Sequence, residues 1–394
     1  MCRKIWMVCV AMMGLLVVQS QAIENGIPQK DTKKTLRKSI KRESRFTPPI
    51  PQRKPFQKPP IPYSTGKEEY IGEVVISFSS ALRKGHTEPG PYDLGIYEWG
   101  ETGGMVAGPS SMAVDRGNNI YILDVENSWI RVYSNDGRYV KTIDMGRHLG
   151  GTDIYVDNEK NIYVFDPHPP LFPYMREYEP PHKEGFGPKG YHLFEIRKYS
   201  SEGNLIARSC SWLPDSLYRK LLPQVIYVDN SDQIYLGRGN LGILRNKGKL
   251  SIREMSTGIP VKIGEEDLRF SYGKQDKETV VSLENRHTKS VHAFLLPLSL
   301  GKLGRIDIIG ADKHANLYLD YVMYQKDTGF KEKVIKVDRA GNILTEIGPF
   351  PSTGGSYIMT RKMVVDNEGC IYWLRYWASG NNEGGELVKF HRRR

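Results

Sequence analysis

The run PSSMAVDRGNNIYILD, residues 109–124, continued by SWIRVYSNDGRYVKTI, residues 128–143, decides the fold. Short blocks of β-branched and aromatic residues alternate with others, and every block stops at Asp, Asn or Gly. Such blocks read as brief strands joined by tight polar turns. Met112 to Val114 turns at Asp115 into Ile120-Tyr121, and Ile130 to Tyr133 turns at Asn135-Asp136-Gly137 into Tyr139 to Ile143. One unit therefore carries four antiparallel strands.

The unit repeats. Asp115 is followed five and six residues later by Ile120 and Tyr121. The same spacing returns as Asp157 with Ile162-Tyr163, Asp229 with Ile234-Tyr235, Asp312 with Leu317-Tyr318, and Asp366 with Ile371-Tyr372. Second hairpins recur as well: Ile196 to Tyr199 leads through Glu202-Gly203 into Leu205 to Ala207, and Val334 to Val337 through Ala340-Gly341 into Ile343 to Thr345. Four strands per unit, at intervals near 40 residues, is the arithmetic of β-propeller blades.

Residues 109–145, with Asn119-Ile120-Tyr121, Leu123-Asp124, Asn127 and Ile130-Arg131-Val132-Tyr133, closely resemble an NHL repeat. Residues 151–208, 306–347 and 360–390 resemble it in part, and 222–300 only faintly. The resemblance implies an all-β, six-bladed propeller and leaves the function open, because a fold does not carry one activity. The Asp spacings, 42, 72, 83 and 54, agree with it. The third is about twice the first, so a degenerate blade belongs between Asp229 and Asp312, with strands at 259–263, 268–272, 279–283 and 291–296. Five blades with a long insertion is the alternative. After Glu386 to Phe390 too little chain remains for a last strand, and an open sheet edge invites aggregation. Gly72 to Phe78 is the expected closing strand, with Leu94 to Trp99 as its rival.

Upstream of the propeller, expected over 64–394, the composition changes. Residues 1–22 read as a signal peptide, with Arg3-Lys4, an apolar run from Ile5 to Val18, and Ser20-Gln21-Ala22 at the cleavage site. That run is short of the roughly 20 residues a spanning helix needs, so a membrane span is expected only if an uncleaved signal serves as an anchor. Residues 23–63 hold eleven Lys/Arg against three acids and become proline-rich, as a disordered arm does. The chain's net charge of +11 thus belongs mainly to the arm. These features point to a secreted, periplasmic or cell-envelope protein whose arm meets an anionic envelope surface, with nucleic acid an improbable partner. Cys210 and Cys370 form no disulfide framework and read as small buried residues.

No nucleophile, Walker, HExxH or CxxC pattern marks a catalytic site. The repeated Asp reads as a turn former that bonds its own backbone, and the repeated Tyr as a packing residue. Two G-x-G-x-x-G matches, at Gly185, Gly187, Gly190 and at Gly237, Gly239, Gly242, lack the strand-to-helix context of a dinucleotide site. NHL-like lyases and gluconolactonase-like propellers hold a divalent metal in the central channel. The resemblance leaves such an ion possible, though no ligand set or other cofactor is identified.

The connections are more informative. Turns after the first and third strands are short, whereas those after the second and fourth are long: Asp166 to His192, Tyr321 to Lys333 and Tyr376 to Gly385. All the excess length falls on one face, where binding loops usually reside. Within the longest, His168, Tyr174, Arg176, Tyr178, His182, Tyr191 and His192 combine rings with basic groups, which suits a protein, peptide or carbohydrate ligand. The expected function is a binding or scaffolding module. The alternative is a metal-dependent lyase or lactonase with its site in the channel.

Overall fold

The computed structural model describes residues 61–81, 89–99, 105–146, 151–167, 191–214, 216, 226–229, 233–236, 241–246, 249–254, 259–263, 266–275, 278–296, 305–325, 329–350, 361–379 and 382–393. The chain divides into Met1–Pro55 and Phe56–Arg394, and every described residue lies in the second unit. The expected signal peptide and nearly all of the arm lie outside the described residues.

An N-terminal segment supplies β1 (Tyr63–Gly66), β2 (Tyr70–Ser80), β3 (Asp93–Leu94), β4 (Tyr97–Trp99) and β5 (Met105–Ala107). Blade 1 is β6 (Ser111–Val114), β7 (Ile120–Asp124), β8 (Trp129–Tyr133) and β9 (Tyr139–Asp144). Blade 2 is β10 (Asp153–Val156), β11 (Ile162–Asp166), β12 (Tyr191–Tyr199) and β13 (Leu205–Pro214). Blade 3 follows as β14 (Ile226–Val228), β15 (Ile234–Leu236), β16 (Leu241–Asn246) and β17 (Lys249–Glu254). Blade 4 is β18 (Ile259–Ile263), β19 (Glu266–Gln275), β20 (Glu278–Asn285) and β21 (Val291–Leu296), on the four runs expected of a degenerate unit. Blade 5 comprises β22 (Arg305–Ala311), β23 (Leu317–Gln325), β24 (Gly329–Val337) and β25 (Ile343–Phe350). Blade 6 has three strands of its own, β26 (Met363–Val365), β27 (Ile371–Ser379) and β28 (Asn382–Arg392). The protein is a six-bladed β-propeller, and the five-bladed alternative does not hold.

β2 is the fourth strand of blade 6. Gly72 lies opposite Phe390, Val74 opposite Val388 and Ile76 opposite Leu387, with a bulge at Val75. The rival segment goes elsewhere: β3 runs parallel to β2 at Ser79, and β4 pairs with β5. Unexpectedly, β1 adds a fifth strand to blade 5, with Thr65 opposite Glu346. The N-terminal segment therefore joins the last two blades. Tyr70 reinforces this: its hydroxyl lies 3.0 Å from that of Tyr318 on blade 5 and donates to the Gly369 carbonyl on blade 6.

Side chains along a strand point alternately to its two sides. In a propeller one side of each blade meets the preceding blade and the other the following blade. On the second strand of blade 1, Ile120 and Ile122 pack back against Tyr372, Leu374 and the β2 residues Ile76 and Phe78. Tyr121 and Leu123 pack forward against Ile162 and Val164 of blade 2. Tyr163 and Phe165 meet Ile234 and Leu236 of blade 3. Leu268 and Phe270 of blade 4 meet Leu317 and Leu319 of blade 5, and Tyr318 meets Ile371 and Trp373 of blade 6. Each such side chain, buried fully, contributes about 1.5–3 kcal/mol, so these seams dominate the stability.

The repeated Asp does what its spacing implies. Asp115 Oδ1 accepts the Asn119 N–H at 2.8 Å, while Oδ2 accepts the Asn119 side-chain amide at 2.8 Å and the Tyr121 hydroxyl at 3.2 Å. Asp312 repeats the set with Asn316 and Tyr318. Asp229 uses Gln233 and Tyr235, and Asp366 uses Cys370 and Tyr372. The carboxylate closes the turn, and the Tyr that packs the next seam ties it to the second strand. The turns between third and fourth strands hold Gly where the left-handed conformation requires it, as at Gly137 (φ 86°). A Cβ there would stand 2.4 Å from the Val75 carbonyl oxygen of β2.

Candidate functional site

The face opposite the Asp turns carries the extra length, but much of it is strand rather than loop. Tyr321 to Lys333, expected as a long connection, is the far part of the β23–β24 hairpin, paired down to Gln325 with Gly329. Tyr376 to Gly385 belongs to the β27–β28 hairpin, paired to Ser379 with Asn382. Aromatic and β-branched residues such as Tyr321, Val322, Tyr376 and Trp377 extend the ladder, as their strand preference allows. The structure thus raises a long paired hairpin on each of the adjacent blades 5 and 6, with β4 next to β27.

Of the candidate ligand-contact residues, Tyr191 and His192 open β12, opposite Pro214 and Leu213 on β13. His192 is half-buried. His168, Tyr174, Arg176, Tyr178 and His182 lie outside the described residues, as do Gly185, Gly187, Gly190, Gly237 and Gly239. Gly242 sits within β16, so the second glycine pattern leads into a strand and not a helix.

Charged residues that the sequence reading passed over line this face. At its centre the Asp153 carboxylate, at the start of the innermost strand of blade 2, is fully buried. It accepts the Ser111 hydroxyl of blade 1, the Ile226 N–H of blade 3 at 2.8 Å, and the Arg361 guanidinium at 2.8 Å. Arg361 also donates to the Ile226 carbonyl at 3.3 Å, and its own carbonyl accepts the Met112 N–H. Innermost strands leave one edge unpaired, and here the Asp153–Arg361 pair satisfies part of it across four blades. Burial raises the Asp153 carboxyl above its ordinary range against the pull of Arg361.

Acid and base pairs recur further out. On blade 1, Asp124 accepts the Gly95 N–H at 3.1 Å and the Asn127 amide at 2.9 Å, and burial pushes its carboxyl up to about 6. On blade 2, Glu195 lies between Arg197 and Arg208, and desolvation lifts it to about 7. Blade 6 buries an Arg375–Glu386 pair beside Trp373. Blade 5 is the most acidic: Asp307 faces Asp320 across the ladder, and Arg305 bridges them at 2.6 and 3.4 Å. Glu332, paired with Lys362 of the next blade, stands beside them. Burial and then Glu332 raise the Asp320 carboxyl well above the usual carboxylate range. It is therefore a group able to hold a proton.

Among the described residues no cluster of three or more His, Cys, Asp or Glu has a metal-holding arrangement. Among the described residues Cys210 and Cys370 are unpaired; Cys210 is exposed rather than buried because it lies on the outermost strand of its blade, and Cys370 is half-buried. One signal could have found the charged residues: single charges such as Asp166, Glu195, Arg197, Asp320 and Arg375 interrupt otherwise apolar runs.

Residues 107–133 match the NHL repeat. No curated protein matches the sequence. Among solved structures, a streptogramin B lyase is similar at 10% identity, covering 82% of this chain and 98% of its own, with a TM-score of 0.39. A PQQ-bound aldose sugar dehydrogenase from Streptomyces coelicolor is similar at 8% identity over 83% and 100%, with a TM-score of 0.39. A protein of unknown function from Bacteroides caccae is similar at 11% identity over 64% and 85%, with a TM-score of 0.34.

Proposed function

We propose that this NHL-repeat propeller is an exported binding or scaffolding module whose ligand docks on the long-hairpin face. One observation carries the reading: the charged groups at the centre of that face are engaged with one another. Asp153 has three donors on it, and Arg361 serves both that carboxylate and the backbone. Groups so occupied hold the ring together, which leaves recognition to the surrounding hairpins and to the insertion between β11 and β12. The rings and bases of that insertion, with His192 at its end, suit a carbohydrate or peptide. The basic arm supports placement at an anionic envelope surface. The test is an array of glycans and peptides probed with full-length protein and with a variant whose residues 168–190 are replaced by a short turn. Binding lost in the variant, with melting unchanged, is the expected result. Binding retained would move the ligand off this face.

The lyase or lactonase reading has one observation in its favour, the protonatable Asp320 beside Glu332 and Lys362. Exhaustive chelation separates the two: a large fall in melting temperature that added Mg2+ or Mn2+ restores would favour the enzyme.

A further inference from the structure

Blade 4 differs from the other five in what it turns toward its predecessor. The backward-facing pair on the second strand is Ile120 and Ile122 in blade 1, Ile162 and Val164 in blade 2, and Ile234 and Leu236 in blade 3. In blades 5 and 6 it is Leu317 and Leu319, then Ile371 and Trp373. In blade 4 the same positions hold Asp267 and Arg269. The alternation continues across the sheet: Lys262 lies opposite Asp267, and Glu284 opposite Arg269 at 3.2 Å. The other side of the blade is apolar, with Leu268, Phe270, Val281 and Leu283 in the core shared with blade 5.

Polar side chains bridge the seam that results. The Tyr227 hydroxyl of blade 3 donates to Asp267 at 3.0 Å. Arg286 of blade 4 reaches Asp229 of blade 3 at 3.1 Å, donates to the Tyr235 hydroxyl and lies over the Tyr235 ring, 3.9 Å from its centroid. Such contacts exchange protein partners for water at little net gain, whereas apolar seams gain from every side chain they bury. The seam in blade 6 where the termini meet has the opposite character. β2 pairs with β28 from Tyr70 to Ser79, β1 adds to blade 5, and Tyr70 and Phe390 are buried in the core between blades 5 and 6.

We propose that the ring opens first between blades 3 and 4, not where its termini join. Blade 4 then parts from blade 3 while staying on blade 5, and the Tyr227–Asp267 and Arg286–Asp229 contacts are the latch. Hydrogen exchange followed by mass spectrometry on the full chain, through a shallow urea series, tests this. Amides of β14, β15, β18 and β19 are expected to exchange at least tenfold faster at low urea than those of β2 and β28. Added salt should widen the difference by weakening the latch. Asp267→Leu with Arg269→Leu should close it. The proposal is overturned if β2 and β28 exchange first, or if all six blades lose protection together. The wild-type series decides the point even where the double variant fails to fold.

Discussion

Blade 1 and blade 4 have the same four strands and opposite sequence characters. Blade 1 carries the NHL match and is apolar on both sides of its second strand, so Ile120 to Leu123 reads as a continuous hydrophobic block. Blade 4 is apolar on one side and polar on the other, so its second strand reads as clean alternation: Asp267, Leu268, Arg269, Phe270, Ser271, Tyr272. It also lacks the Asp-to-Tyr turn, since Ile263 and Glu266 pair across a shorter connection. The difference teaches that the family signature records burial on two sides. A blade can abandon the signature and keep its strands, provided one side stays apolar.

The largest expected effect comes from giving blade 1 the residue of blade 4. Ile120 is fully buried against the closing strand, and Ile120→Asp places a carboxylate there with no built partner. A loss of about 4 kcal/mol or more is expected in equilibrium urea unfolding. A loss below about 1 kcal/mol would show that backward-facing positions tolerate charge generally, and the contrast between the blades would fail.

What the sequence made legible follows from the same contrast. The strands of the regular blades and of blade 4 could be read because both two-sided blocks and alternation are strand signals. Closure by Gly72 to Phe78 was legible because the last unit lacks a strand, though Ile76 is buried there and Val74 is more than a third exposed. β1 was not legible, since a four-residue strand inside a proline-rich boundary has no period of its own. The hairpins of blades 5 and 6 were read as loops because polar residues and glycine gather at their tips, as in Gln325-Lys326-Asp327-Thr328-Gly329 and Ser379-Gly380-Asn381-Asn382. The Asp153–Arg361 pair joins residues far apart in sequence, and no local spacing announces such a contact. Only the end of the expected ligand insertion, Tyr191 and His192, falls among the described residues.

A middle-sized effect tests the one acid that blade 1 does bury on its backward side. Burial lifts the Asp124 carboxyl from 3.8 to about 6, against the pull of the Asn127 and Gly95 hydrogen bonds and of Arg131. A folded value above the unfolded one means stability is fully present below about pH 4 and is lost as pH rises through about 6. Asp124→Asn keeps the shape and removes the proton. Relative to wild type, the variant should therefore gain by about 1–3 kcal/mol between pH 4 and pH 7. Parallel pH profiles for the two proteins would mean the carboxyl is not raised.

The smallest effect separates the two kinds of turn. In blade 1 the Tyr121 hydroxyl bonds Asp115 beside an apolar seam, where the neighbouring cation, Lys160 of blade 2, stands 3.5 Å from the same carboxylate oxygen and lies over no ring among the described residues. Tyr121→Phe leaves a buried carboxylate oxygen short of one donor, and a cost of about 1–1.5 kcal/mol is expected. Tyr235 makes the same bond to Asp229, but at the polar seam the Arg286 guanidinium also reaches that carboxylate and lies over the ring. Tyr235→Phe keeps the ring face for Arg286 and the ion pair for Asp229. Its expected cost is therefore no more than about 0.5 kcal/mol, near the limit of denaturant midpoints. Equal costs at the two positions would mean that Arg286 does not take over the hydroxyl's role. A larger cost at Tyr235 would mean that the seam between blades 3 and 4 is as dry as the others, and the polar latch would lose its physical basis.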